Sequence, residues 1–166
     1  MRLALGVHAA DRRVVLDRLS GRTSMSDTRP APTPGARRAY AVLTGIATLF
    51  VFIQFFTSSE FIRVRGESAE TWTEIHGWTA YGLLVPALLA AVVAVVALRR
   101  AAPVLTVVAV VLFVASVGQW GSGHLISTLG MDGWTPFHVF FSSVVLALAV
   151  WASIRSATLR RSVATR

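Results

Sequence analysis

Four long apolar runs limit the possible folds of this chain more than any other feature of its sequence. They cover roughly residues 39–56, 75–98, 104–120 and 137–154. A helix needs about 20 apolar residues to cross a hydrocarbon core about 30 Å thick, and each run approaches or exceeds that length. The chain is 54% hydrophobic and only 14% charged, whereas soluble domains carry about a quarter charged residues. We therefore predict an all-α fold, an up-down bundle of four transmembrane helices.

Basic residues are distributed unevenly between the two ends of the predicted bundle. One end has only Arg63 and Arg65, between the first two runs, and no arginine between the last two. The other end has the termini and the middle connection, with Arg2, Arg12, Arg13, Arg18, Arg22, Arg29, Arg37, Arg38, Arg99, Arg100, Arg155, Arg160, Arg161 and Arg166. The positive-inside rule predicts cytoplasmic N- and C-termini in a multi-pass protein of a bacterial inner membrane.

The net charge of +8 is explained by this topology, so we expect the lipid bilayer and no nucleic acid as partner. A homodimer or a contact with other membrane proteins is a further expectation. All sixteen basic side chains are arginine. That bias is typical of a GC-rich genome and favours an actinobacterial source.

The segments outside the apolar runs differ from them in composition. Residues 1–36 are rich in Arg and Pro and predict a disordered cytoplasmic tail. Met25 offers an alternative start, which would remove the first 24 residues. Residues 37–156 form the predicted transmembrane domain, and residues 157–166 form a basic cytoplasmic tail.

Polar residues collect at the non-cytoplasmic ends of the runs, where ionisable groups are costly and often functional. His76 and His138 each lie one residue into the second and fourth runs. These two spans run in the same direction and are diagonally opposed in an up-down bundle, so the two histidines lie at matched depth. The pattern predicts a b-type haem between them, with both as axial ligands of the iron. Gln119 and His124 are the predicted neighbours of this site. The chain has no Cys, which excludes thiolate ligands and cysteine nucleophiles.

Other interpretations of the same residues remain open. Each histidine is equally compatible with a half-solvated residue at the membrane boundary. A zinc or copper site could combine His76, His124 and His138 with a carboxylate. The main alternative function is a cofactor-free accessory membrane protein that contacts a partner. A third is an enzyme acting on a lipid or quinone, which would need a carboxylate beside His76 or His138; Glu60 is the candidate.

The layout also resembles known proteins over about residues 38–155. Gln54 ends the first run, HGWTAYG opens the second, Gln119 lies near the end of the third, and PFHVFFSSVVLALAVW forms the fourth. This pattern resembles a family of small four-helix bacterial membrane proteins and, more distantly, one half of haem A synthase or the four-helix cytochrome b bundles. The cytochrome-like resemblance implies His76 and His138 as haem ligands, for electron transfer or respiratory assembly. The chain departs from the haem A synthase pattern at Thr73 and Gly77, where that family has Glu and Arg.

Overall fold

The computed structural model describes the backbone of residues 32–164 and the side chains of residues 32–158. Of the disordered tail predicted over residues 1–36, residues 1–31, with the alternative start at Met25, lie outside this part of the chain, and residues 34–36 belong to the first helix. The described backbone is helical between short connections and contains no strand, so the all-α prediction is confirmed. The four long helices are α1 (Pro34–Arg63), α2 (Glu67–Val93), α3 (Pro103–Leu129) and α4 (Thr135–Ala164).

All four helices are long and apolar enough to cross a membrane, which indicates a multi-pass membrane protein. Helix α2 continues into a π-helical turn, Ala94–Leu98, and a 3₁₀ turn, Asp132–Trp134, precedes α4. Pro103 occupies the first turn of α3, where a proline displaces no helical hydrogen bond. Pro86 lies inside α2 and is buried.

The helices extend beyond the apolar runs. Helix α1 continues seven residues past the first predicted span, α2 begins eight residues before the second, and α3 continues nine residues past the third. These flanks contain no proline to end a helix. His124 is therefore a helical residue of α3, and the predicted basic C-terminal tail is helical through Ala164.

The helices pack in the order α1, α2, α3, α4, with α4 closing against α1. Helices α2 and α4 are therefore diagonal to each other within the described part of the chain. The interior contains many alanines, including Ala47, Ala87, Ala90, Ala94, Ala109, Ala149 and Ala152. Small residues let helices approach closely, which is the usual packing solution inside a membrane. Two polar contacts add to it, between Thr48 and Ser153 at 2.8 Å and from Thr106 to the Ala94 carbonyl at 3.1 Å.

Candidate functional site: a pair of facing histidines

His76 on α2 and His138 on α4 turn towards each other across the bundle. Their ring centroids are 6.5 Å apart, and the ring planes make an angle of 62°. Both residues are partly buried. The structure therefore brings the two residues predicted from their depth into direct proximity.

A hydroxyl group holds each imidazole at Nδ1. Thr57 Oγ1 on α1 lies 2.8 Å from His76 Nδ1, and Ser122 Oγ on α3 lies 2.9 Å from His138 Nδ1. Each hydroxyl also donates to a backbone carbonyl of its own helix, that of Gln54 for Thr57 and that of Gln119 for Ser122.

Two tautomers of each histidine are compatible with these hydrogen bonds. When the hydroxyl hydrogen of Thr57 or Ser122 points to the backbone carbonyl, the hydroxyl oxygen accepts from an Nδ1–H. The lone pair of the neutral imidazole is then at Nε2, the form that can bind a metal ion through this nitrogen. When the hydroxyl hydrogen points to Nδ1 instead, the ring hydrogen is at Nε2.

A glutamine on the neighbouring helix fixes the backbone of each histidine. Gln54 Nε2 donates to the His76 carbonyl at 2.9 Å and to Thr79 Oγ1 at 2.7 Å. Gln119 Nε2 donates to the His138 carbonyl at 2.8 Å. The buried Oε1 of Gln119 has no hydrogen-bond partner in the described part of the chain.

The two helical hairpins thus repeat one arrangement. In each, a glutamine on the first helix bonds to the histidine carbonyl of the second helix, and a hydroxyl three residues later bonds to the imidazole. The glutamines and histidines are recognisable in the sequence, whereas Thr57 and Ser122 are not among the predicted residues. The signal that could have found them is the repeated Gln-x-x-Ser/Thr at the ends of the first and third apolar runs.

The immediate surroundings of the two rings differ. The Phe61 ring packs edge-on against His76, with centroids 5.4 Å apart. Gly123 lies under His138, and a Cβ on this glycine would be 3.0 Å from His138 Cε1. Gly82 on α2 is covered by the Phe50 ring of α1.

His124 faces away from the pair, towards the groove between α2 and α3. Its ring stacks on Trp120, with centroids 5.8 Å apart, and its Nδ1 lies 3.1 Å from Thr128 Oγ1. Among the described residues, no group of three or more His, Cys, Asp or Glu could hold a metal ion. The alternative zinc or copper site with three histidines and a carboxylate is therefore not formed.

Glu60, the candidate carboxylate for an enzyme site, is paired with another residue. Its Oε2 accepts from Arg63 at 2.6 Å, one turn along α1. Glu74 lines the groove between α2 and α3. Neither carboxylate has a hydrogen bond to His76 or His138 in the described structure. The side-chain hydrogen bonds of the two imidazole rings there are those with the hydroxyls of Thr57 and Ser122.

The structure shows an edge-to-face contact between these two imidazoles, with 6.5 Å between their ring centroids. Comparisons with models of protein families, with curated proteins and with solved structures found no match for this chain.

Proposed function

We propose that this chain is a small membrane protein that binds one b-type haem between α2 and α4. His76 and His138 would hold the iron through Nε2. A haem with two histidine ligands supplies one-electron redox chemistry, which suits electron transfer or support of a respiratory assembly. The observation that carries the proposal is the facing pair of imidazoles, with ring centroids 6.5 Å apart, each with a hydroxyl within hydrogen-bond distance of Nδ1.

The residues around the pair have defined tasks in this proposal. Thr57 and Ser122 accept the Nδ1 hydrogens and thereby orient the ligands. Gln54 and Gln119 fix the backbone from which each imidazole projects. His124, which stacks on Trp120, has no part in ligation.

The test is an absorption spectrum of the detergent-purified protein from haem-replete cells, oxidised and then reduced with dithionite. We expect reduced α and Soret bands that are lost in His76→Ala and in His138→Ala. His124→Ala is the matched control, since it removes a histidine from the same end of the bundle, and it should keep both bands. A colourless parent protein, or bands that survive either ligand variant, would overturn the proposal.

The second candidate is a cofactor-free accessory membrane protein. It is favoured by the Phe50 ring, which fills the space over Gly82 that a cofactor could otherwise approach. The paired hydrogen bonds of the two hairpins would then serve only to lock α1 to α2 and α3 to α4. A colourless protein whose thermal stability falls in both histidine variants would support this candidate.

We also propose an up-down topology with both termini in the cytoplasm of a bacterial cell. The connections between helices are short, and consecutive helices pack on each other, which favours antiparallel neighbours. Arg99 and Arg100 follow the π-helical turn, at the end of α2 opposite the histidine pair. Their position on the side of the termini supports the orientation by the positive-inside rule.

A further inference from the structure

A groove between α2 and α3 lies outside the histidine pair. It has two adjoining cavities, of about 690 Å³ and about 270 Å³. Tyr81 and Trp120 line both cavities, so the two adjoin at these residues. The larger cavity lies beside the first turns of α2, and the smaller one lies beside the apolar run.

Aromatic rings form one wall of this groove and cross from α2 to α3. Trp78 contacts Tyr81 with ring centroids 5.9 Å apart, and Tyr81 contacts Trp120 at 6.3 Å. Trp78 is 69% exposed, although large aromatic rings are usually buried in part. The faces of these rings are therefore available to a ligand, and aromatic faces attract cations.

The end of the groove beside the first turns of α2, called its upper end, is acidic. Glu70 and Glu74 line it one helical turn apart, and no arginine is among its lining residues. Within residues 32–158 no basic side chain pairs with either carboxylate. Two carboxylates attract a positively charged group by their opposite charge, and the exposed aromatic rings beside them attract it through cation–π contacts.

The lower end of the groove is apolar. The smaller cavity has no polar surface and is lined by Leu84, Val85, Leu88, Phe113 and Val117 in addition to the two shared aromatic residues. From Glu74 to Leu88 the helix rises about 21 Å, whereas half of a hydrocarbon core is about 15 Å thick. With the predicted second span beginning at residue 75, the lining residues from Glu74 to Leu88 cover the depth of one leaflet.

We propose that this groove binds a phospholipid whose headgroup carries an amine. The amine would lie against Glu70, Glu74 and the aromatic wall, and one acyl chain would follow the apolar section. Hydroxyl groups on the α3 side, Ser127 and Thr128, are donors for the phosphate. Glu70 and Glu74 favour a lipid that carries an amine over a purely anionic lipid. The headgroup of the anionic lipid would bring its negative charge next to the two carboxylates without a positive charge to offset it. This inference does not depend on haem.

The test compares two guest lipids that differ only in headgroup. The full chain is placed in nanodiscs of dioleoyl phosphatidylglycerol with a small fraction of a lipid with brominated acyl chains, whose bromine quenches tryptophan fluorescence on contact. The guest is either phosphatidylethanolamine or phosphatidylglycerol. We expect the amine lipid to quench at a mole fraction about five-fold lower than its glycerol counterpart.

Variants locate the preference in the groove. The double variant Glu70→Gln with Glu74→Gln should remove the difference between the two guests. Glu67→Gln, an exposed carboxylate of the same helix outside the groove lining, is the matched control and should keep it. Trp78→Phe with Trp120→Phe should remove the preferential part of the quenching.

Three results would overturn the proposal. They are equal quenching by both guests, a preference that persists in the double glutamine variant, and a dimer in the nanodisc that shields Trp78 and Trp120 from both guests. Circular dichroism of each variant checks that its helices remain folded.

Discussion

At the residue scale, the histidine pair depends on two hydroxyl groups. Thr57→Val and Ser122→Ala each remove the acceptor of an Nδ1 hydrogen. Loss of an outer-shell partner costs about 10- to 100-fold in metal affinity, so for the proposed haem complex we expect weaker haem binding. We also expect a higher midpoint potential, since the ligand becomes less basic. Haem titration and redox potentiometry measure both.

The control for this prediction is Ser142→Ala. Ser142 lies one turn after His138, and its hydroxyl donates to the Val139 carbonyl rather than to an imidazole. The haem affinity and the midpoint potential of Ser142→Ala should equal those of the parent protein. Unchanged values in Thr57→Val and Ser122→Ala would show that these hydroxyl groups do not tune a cofactor.

A second residue-scale prediction concerns the glycine under His138. Gly123→Ala would place a methyl group 3.0 Å from His138 Cε1, so the ring must shift by a few tenths of an ångström. We expect Gly123→Ala to be less stable than Gly121→Ala by about 1 kcal/mol and, in the proposed haem complex, to change the spectrum. Gly121→Ala, with no atom within 4 Å of the added carbon, is the control, since it has the same gain in helix propensity without the contact. Thermal unfolding in detergent makes the comparison, and equal midpoints for the two variants would contradict it.

The site could be predicted from the sequence only in part. His76 and His138 are recognisable because ionisable side chains are rare in apolar runs, and their depth follows from the span positions. Thr57 and Ser122 are not recognisable in this way, because hydroxyl residues in helices commonly bond to their own backbone. Thr71 and Thr73, which bond to carbonyls one turn back, have the same local signature without an imidazole partner.

At the element scale, the contact between α1 and α2 depends on the absence of a side chain at Gly82. A methyl group there would overlap the Phe50 ring. Gly82→Ala should therefore destabilise the protein by about 1–3 kcal/mol. Gly118→Ala, where the space is open, should have no such effect. Thermal unfolding followed by tryptophan fluorescence compares the variants.

A double-mutant cycle tests whether Phe50 is the cause. Phe50→Ala removes the ring, so adding Gly82→Ala to it should cost little more. Additive losses in the double variant would mean that the methyl group meets another part of the structure.

The helices themselves follow from the apolar runs, but their ends do not. Hydropathy indicates which residues are compatible with lipid. A helix, however, continues for as long as its backbone N–H and C=O groups remain hydrogen-bonded to each other. Gly121 and Gly123 weaken helix propensity, yet α3 continues past both to Leu129. Contacts that hydropathy does not report hold this segment, including the bond of Ser122 to His138 and the stacking of His124 on Trp120. The π-helical turn at Ala94–Leu98 likewise has no counterpart in the apolar pattern.

At the scale of the whole molecule, many large apolar side chains of the described residues are exposed, whereas the interior is rich in alanine beside a few larger residues such as Leu98 and Leu112. Val96 is 76% exposed and Phe140 is 64% exposed, whereas Ala87 and Ala149 are fully buried. In water such a surface would associate, since soluble proteins rarely expose large apolar patches. In lipid the exposed apolar surface is stable, because the bilayer core solvates these side chains. The small interior residues permit close packing of the helices.

The proposed topology can be tested directly because the chain has no native cysteine. Ser68→Cys, in the first turn of α2, places a thiol at the end of the bundle that carries the histidine pair. Ala101→Cys, between α2 and α3, places one at the opposite end. With both termini cytoplasmic, a membrane-impermeant maleimide added to intact cells should label Ser68→Cys and leave Ala101→Cys unlabelled.

Inverted membrane vesicles provide the complementary measurement. There Ala101→Cys should react and Ser68→Cys should be protected, because the cytoplasmic face is now outermost. Gly133→Cys, in the connection before α4, should behave like Ser68→Cys if the four spans alternate in direction. The reverse pattern would invert the orientation and place the histidine pair near the cytoplasm. If Ser68→Cys and Gly133→Cys differ in labelling, the up-down arrangement itself is wrong. The connection before α2 and the connection before α4 would then lie on opposite sides of the membrane.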